Sequence, residues 1–145
     1  MQKCFGLFLG IGFLFSCNSS SDQKSSVVDG TTRYEVYQPS EMAALMKVMH
    51  TYNEQLKSQI LEDDITLNFP EIFENINTAE FTEGKGRTEA FDYYSGRFIE
   101  AQKAIFETDS LPAIERYNHA IDMCLSCHKT ECTGPIPKIE KLLIK

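Results

Sequence analysis

Tryptophan is absent from the 145-residue chain. Bulky apolar surface must therefore come from its ten Phe and six Tyr. Clusters of Lys and Arg are absent too, and the net charge is −7. That leaves no electrostatic footprint for a nucleic acid, and it points any protein partner toward a basic face. The longest apolar run, Cys4 to Phe15, is too short to span a bilayer. No run alternates as a strand does, and no segment repeats. A second C-x-x-C or an H-x-x-H pair is also missing. The length is room for one domain.

What is present begins with a targeting segment. Lys3 is a short charged region and Cys4 to Phe15 an apolar one, together the pattern of a signal peptide. Leu14-Phe15-Ser16-Cys17 resembles a bacterial lipobox, although Phe15 stands where a small residue is usual. Residues 1–17 are thus expected to be a lipoprotein signal ending at a lipidated Cys17; an ordinary signal peptide is the plainer alternative. The mature chain would be exported to the periplasm or cell envelope and held to a membrane through that lipid alone. Removing residues 1–16 takes away Lys3 and no acid, so the mature chain is more acidic still. Residues 18–38 are polar and serine-rich, a flexible tether.

From residue 39 the pattern is helical. Ser40 is placed to cap a first helix, with Glu41 at its positive end. Met42, Leu45, Met49, Tyr52, Leu56 and Ile60 make one apolar face, and Glu62-Asp63-Asp64 a solvated end. Phe69-Pro70 opens a short second helix with Ile72, Phe73 and Ile76 inward. Residues 82–87 are a loop. Thr88 caps a third helix striped by Phe91, Tyr94, Phe98, Ala101 and Ile105. After a turn at Thr108-Asp109-Ser110, Ser110 caps a fourth helix with Pro112 in its first turn. Ile114, Tyr117, Ile121, Cys124 and His128 then fall on one face. Thr133-Gly134-Pro135 breaks that helix, and Ile136, Ile139, Leu142 and Leu143 suggest a final turn or two packing back. The expected fold is all-α: an antiparallel four-helix bundle over residues 39–145 with a short C-terminal helix.

The stretch that organises these helices is Cys124-Leu125-Ser126-Cys127-His128, C-x-x-C-H, the attachment signature of a c-type haem. Two thiols one turn apart can each form a thioether, and the adjoining imidazole can be the proximal iron ligand. Covalent attachment of this kind takes place outside the cytoplasm, which agrees with the export signal. Rival uses of the motif are weaker. A redox C-x-x-C should open a helix just after a strand, where the helix end lowers a thiol pKa. A zinc or iron–sulfur site would have to recruit Cys132 with His128 or His119. A disulfide is a further alternative. Cys132 is otherwise left over, and an unreactive cysteine is a simpler reading of it than a redox role. His119, nine residues before His128 on the same helix, is expected to be solvated.

A helical bundle with this motif late in its last helix resembles the class II c-type cytochromes, the cytochrome c-prime family. The likeness covers roughly Ser40 to Lys129. It implies one covalently attached haem c, held by Cys124, Cys127 and His128. Ala44-Leu45-Met46-Lys47 is similar to the segment that supplies the sixth ligand in the methionine-ligated members. The second helix is shorter than the family usually has, and Cys132 with the Gly134-Pro135 tail is additional. The resemblance implies an electron carrier rather than an enzyme, working with a redox protein partner. Family bundles often pair through their first two helices, so a homodimer is one option.

The sixth ligand stays open. Relative to Met46, helical geometry puts Met42 at about −40° and Met49 at about −60°, so all three share one face. The family match points to Met46, and the centre of the apolar stripe to Met49. Each methionine taken alone is more often core filler than ligand. His50, about 100° from Met49 on the polar edge, would give a bis-histidine haem. If no side chain reaches the iron, the alternative is a five-coordinate haem protein that binds or senses nitric oxide or carbon monoxide.

Overall fold

The computed structural model of the protein describes residues 38–107 and 111–145. The signal segment 1–17, Cys17, the tether up to residue 37 and the turn at Thr108-Asp109-Ser110 lie outside the described residues. The expectation of an all-α chain holds: the described residues form helices, with no strand among them. None of these helices is long and apolar enough to cross a membrane.

Helix α1 (Glu41–Leu61) starts where its cap chemistry says it should. Ser40 Oγ accepts the Ala43 N–H at 3.2 Å, and Glu41 lies in the first turn. Met42, Leu45, Met49, Asn53, Leu56 and Ile60 are buried at helical spacing. Glu62, Asp63 and Asp64 are exposed, and Asp63 turns the chain through a left-handed φ of 54°. Gln59 holds this reversal, its Oε1 accepting from the Thr66 and Leu67 N–H groups.

The second element departs from expectation. It is a 3-10 helix, Glu71–Asn77, and Pro70 precedes it as the cap rather than sitting in its first turn. Phe73 and Ile76 are buried, whereas Ile72 is 50% exposed. With three residues per turn, positions 73 and 76 eclipse and position 72 is rotated out to solvent. The segment brings the chain back to its starting end. The Met42 N–H donates to the Glu80 carbonyl at 3.0 Å, and the Glu80 N–H donates to the Glu41 carboxylate at 3.0 Å.

Helix α2 (Glu89–Ala104) is capped by Thr88, whose Oγ1 accepts the Phe91 N–H at 3.0 Å. Phe91, Phe98, Ala101 and Ile105 are buried as expected, while Tyr94 is only half-buried. Helix α3 (Ala113–Glu131) begins one residue after Pro112. The Pro112 carbonyl accepts from Glu115 and Arg116, so Pro112 holds the cap position and is not inside the first turn. Ile114 was expected on the inner stripe but is 40% exposed at the helix start; Tyr117 and Ile121 are fully buried. Arg116 donates to the Ile105 and Leu111 carbonyls, placing a cation at the negative end of α2. At the opposite end Thr88 Oγ1 bonds the Glu131 carboxylate at 2.9 Å, so α2 and α3 run antiparallel. The tail forms a short α4 (Ile136–Ile139) and a 3-10 turn (Glu140–Leu142), burying Ile139, Leu142 and Ile144 against Leu56, Tyr117 and Leu125.

Three α-helices of 21, 16 and 19 residues thus carry the architecture. A buried polar junction joins all three. Asn53 Nδ2 donates to the Met49 carbonyl at 2.9 Å, which turns its Oδ1 to accept from Gln102 Nε2 at 3.2 Å. The Tyr117 hydroxyl donates to the Asn53 carbonyl at 3.0 Å. Gln102 Oε1, facing away, has no hydrogen-bond partner and costs about 1–3 kcal/mol of desolvation.

Tyr117→Phe leaves the Asn53 carbonyl without that donor and should lower stability by about 1–3 kcal/mol in urea titrations. Burial also pushes the Tyr52 phenol up from 10.0 to about 12 and raises that of Tyr117 well above its ordinary value. An unfolded chain loses these protons first. The stability they contribute is therefore intact below pH 10 and falls as pH rises toward 12. Replacing both tyrosines by Phe should flatten that alkaline decline.

Candidate cofactor-attachment site

Cys124, Cys127 and His128 lie in the last eight residues of α3, in unbroken helix. Leu125, between the cysteines, is buried and keeps this face inward. Cys124 and Cys127, three residues apart, lie on neighbouring turns. Both pack against a layer made by Met42, Leu45 and Met49 of α1, Phe73 and Ile76 of the return segment, and Phe91 and Phe98 of α2. Three amphipathic elements therefore converge on the motif. Among the described residues Cys124, Cys127 and Cys132 are all free thiols, with no disulfide between any two of them.

The electrostatics argue against a redox dithiol. Burial, then the neighbouring Cys127, pushes the Cys124 thiol up to about 12. Burial, then Glu131, pushes Cys127 up to about 11. A nucleophilic C-x-x-C needs a depressed pKa and a helix start, and this motif has neither. Nor do three His, Cys, Asp or Glu side chains converge as a metal-binding group among the described residues. Cys132 is exposed past the helix end, so the zinc or iron–sulfur set is not assembled.

His128 is half-buried. It sits in the last turn of α3. Its Nδ1 is 2.8 Å from the Cys132 carbonyl oxygen. A carbonyl only accepts, so in the neutral ring Nδ1 carries the proton and Nε2 keeps the lone pair. That is the state an imidazole ligand requires.

Across the layer, Met42, Met46 and Met49 all pack in the cluster that contains both cysteines; Met42 and Met49 are buried and Met46 half-buried. His50 is directed elsewhere, its Nδ1 3.4 Å from the Glu54 carboxylate. His119 is exposed, as expected. The donor set fits a haem c: two thiols and an imidazole on one helix, thioethers on the facing one, and aromatic surface between them.

Two features escaped the reading of the sequence. Arg87 stands over the rings of Phe81 and Phe91 at 5.6 and 5.1 Å and donates to the Ile76 carbonyl at 3.0 Å. It closes the edge of the layer with a cation–π contact. Asn53 occupies the buried stripe of α1, at steps of four and three from Met49 and Leu56. That spacing is visible in the sequence, but polarity made the neighbouring Tyr52 look like the better core residue.

In the haem-free folded chain at neutral pH, iodoacetamide should label exposed Cys132 first and leave Cys124 and Cys127 largely unmodified until denaturant is added. Peptide mass mapping would show it, and equal labelling of all three would contradict the burial described. No protein-family model matches the chain, and neither the curated proteins nor the solved structures contain a match to it.

Proposed function

We propose that this chain is an exported, lipid-anchored monohaem c-type cytochrome that carries single electrons. One observation carries the proposal: the face of α3 that bears Cys124 and Cys127 packs against the methionine face of α1 across an aromatic layer. Cys124 and Cys127 would hold the porphyrin through thioethers, and His128 Nε2 would bind the iron from one side. Met46, or Met49 in its place, would supply a soft neutral ligand from the other. Haem contributes a one-electron ferric–ferrous couple.

The remaining residues create the setting. Phe73, Phe91 and Phe98 exclude water and lower the local dielectric. The polar junction at Asn53, Gln102 and Tyr117 holds α1 in register against α3, so the two ligand faces stay opposed. Fixed ligands keep reorganisation small between oxidation states. No substrate chemistry is called for, and the acidic surface suits a redox partner with a basic face.

The architecture supports this reading as a variant of the cytochrome c-prime bundle. Residues 62–88 carry a single 3-10 helix and no second long helix, which is where the chain departs from an antiparallel four-helix bundle. The five-coordinate alternative also has an observation in its favour. Met42 and Met49 are already satisfied as core residues, and a distal face lined only by packed side chains would admit nitric oxide or carbon monoxide.

Expression with c-type maturation machinery should yield a coloured protein whose haem stain survives denaturation. A colourless product with both thiols free to alkylate would defeat the proposal. A low-spin spectrum resistant to carbon monoxide supports methionine ligation; ready binding of the gas supports the five-coordinate form. His128→Ala should allow attachment but abolish the native spectrum. Of Met46→Ala and Met49→Ala, the one that converts the haem to high spin identifies the distal ligand.

A further inference from the structure

Residues 132–145 lie beyond the attachment motif, yet they are firmly fastened. Ile139, Leu142 and Ile144 are buried. Lys57 Nζ on α1 donates to the Lys141 and Leu143 carbonyls at 2.9 and 2.8 Å. The Asn118 carboxamide on α3 pairs with both polar groups of the Ile144 backbone, each at 2.9 Å. A short segment that follows a helix end ordinarily frays. Here the tail is clasped at its far end by two of the long helices.

At its near end the tail meets His128. Carbonyls within a helix point along its axis and are not available to a side chain one turn earlier. Cys132 leaves the helix with extended backbone, φ −161° and ψ 91°. Its N–H donates to the His128 carbonyl at 3.2 Å, and its own carbonyl receives His128 Nδ1 at 2.8 Å. Residues 128 and 132 are thus joined by two hydrogen bonds, one of which fixes the imidazole ring.

We infer that Cys132, through its backbone carbonyl, is the positioning residue for His128, and that the clasped tail is the buttress that keeps this carbonyl in place. The thiol of Cys132 has no part in it, being exposed. The consequence for the iron rests on the proposed function. An Nδ1–H held by a carbonyl stops ring rotation, presents Nε2, and makes the imidazole a stronger donor. A stronger donor favours ferric iron and lowers the potential.

Three full-chain variants test this. Cys132→Ser keeps the backbone and should match the parent in all measurements. Cys132→Pro removes the N–H bond and forces φ to about −65°, turning the carbonyl away. Asn118→Ala frees Ile144 about 15 Å along α3 from His128, without touching the motif. In haem-loaded protein, Cys132→Pro should raise the midpoint potential and speed exchange of the His128 Nδ1 proton about tenfold, the loss of one ordinary hydrogen bond. Asn118→Ala should shift both in the same direction by less.

A second readout needs no haem. In the haem-free full chain, nitrogen-15 NMR should find neutral His128 as the Nδ1–H tautomer. An Nε2–H tautomer there, or parental potential and proton exchange in a haem-loaded Asn118→Ala chain, overturns the inference even if Cys132→Pro fails to fold. A parent chain that takes up no haem would instead defeat the cytochrome proposal, and the tautomer would still decide whether Cys132 holds the ring.

Discussion

The hydrogen bond from the Tyr117 hydroxyl to the Asn53 carbonyl determines how α1 sits on α3. Both residues are almost wholly buried, and neither group has water to fall back on. Hydrophobic packing alone tolerates a helix sliding by a turn, because one aliphatic contact replaces another at similar free energy. A buried donor and acceptor do not tolerate it, since a slipped register strands both groups. With Gln102 joined to the same asparagine, α2 is locked in as well. Everything at the motif end follows: Met42, Met46 and Met49 lie opposite Cys124 and Cys127 because Asn53 lies opposite Tyr117.

That junction explains the division of the core into two clusters. One gathers Leu56, Ile60, Ile105, Ile121 and the tail residues, with Tyr117 at its centre. It is aliphatic, closely packed and concerned with stability; a fully buried side chain of this kind contributes about 1.5–3 kcal/mol. The other gathers methionines and phenylalanines around the cysteines. Methionine is an adaptable filler compared with branched aliphatics. Cys124 and Met123 border both clusters, so the motif lies where the rigid part of the core gives way to the adaptable part.

Much of this was legible in the residues. The caps at Ser40 and Thr88 are local chemistry, and a hydroxyl followed by a run at helical spacing declares itself. The inward placement of Met42, Met49, Phe91 and Cys124 followed from periodicity. The second helix was misjudged because Ile72, Phe73 and Ile76 fit an α-helical face as well as a 3-10 one, and only packing decides between periods of 3.6 and 3. Ile114 lay on the correct stripe of α3 but too near its start to be covered. The orientation of His128 was not legible, because it depends on the backbone angles of Cys132, and no spacing rule encodes those.

Cys124 and Cys127 look into a layer that is already closed by packed side chains. On the proposed function, this arrangement has a consequence for the order of events. A flat macrocycle reaches two inward sulfurs only while α1 stands away from α3, so attachment belongs to an open chain and not to the finished fold. Crossing a membrane unfolded would supply that interval, and closure over the pigment would end it. Maturation and collapse would then be a single process, and a chain that collapsed too early would shut its own cofactor out.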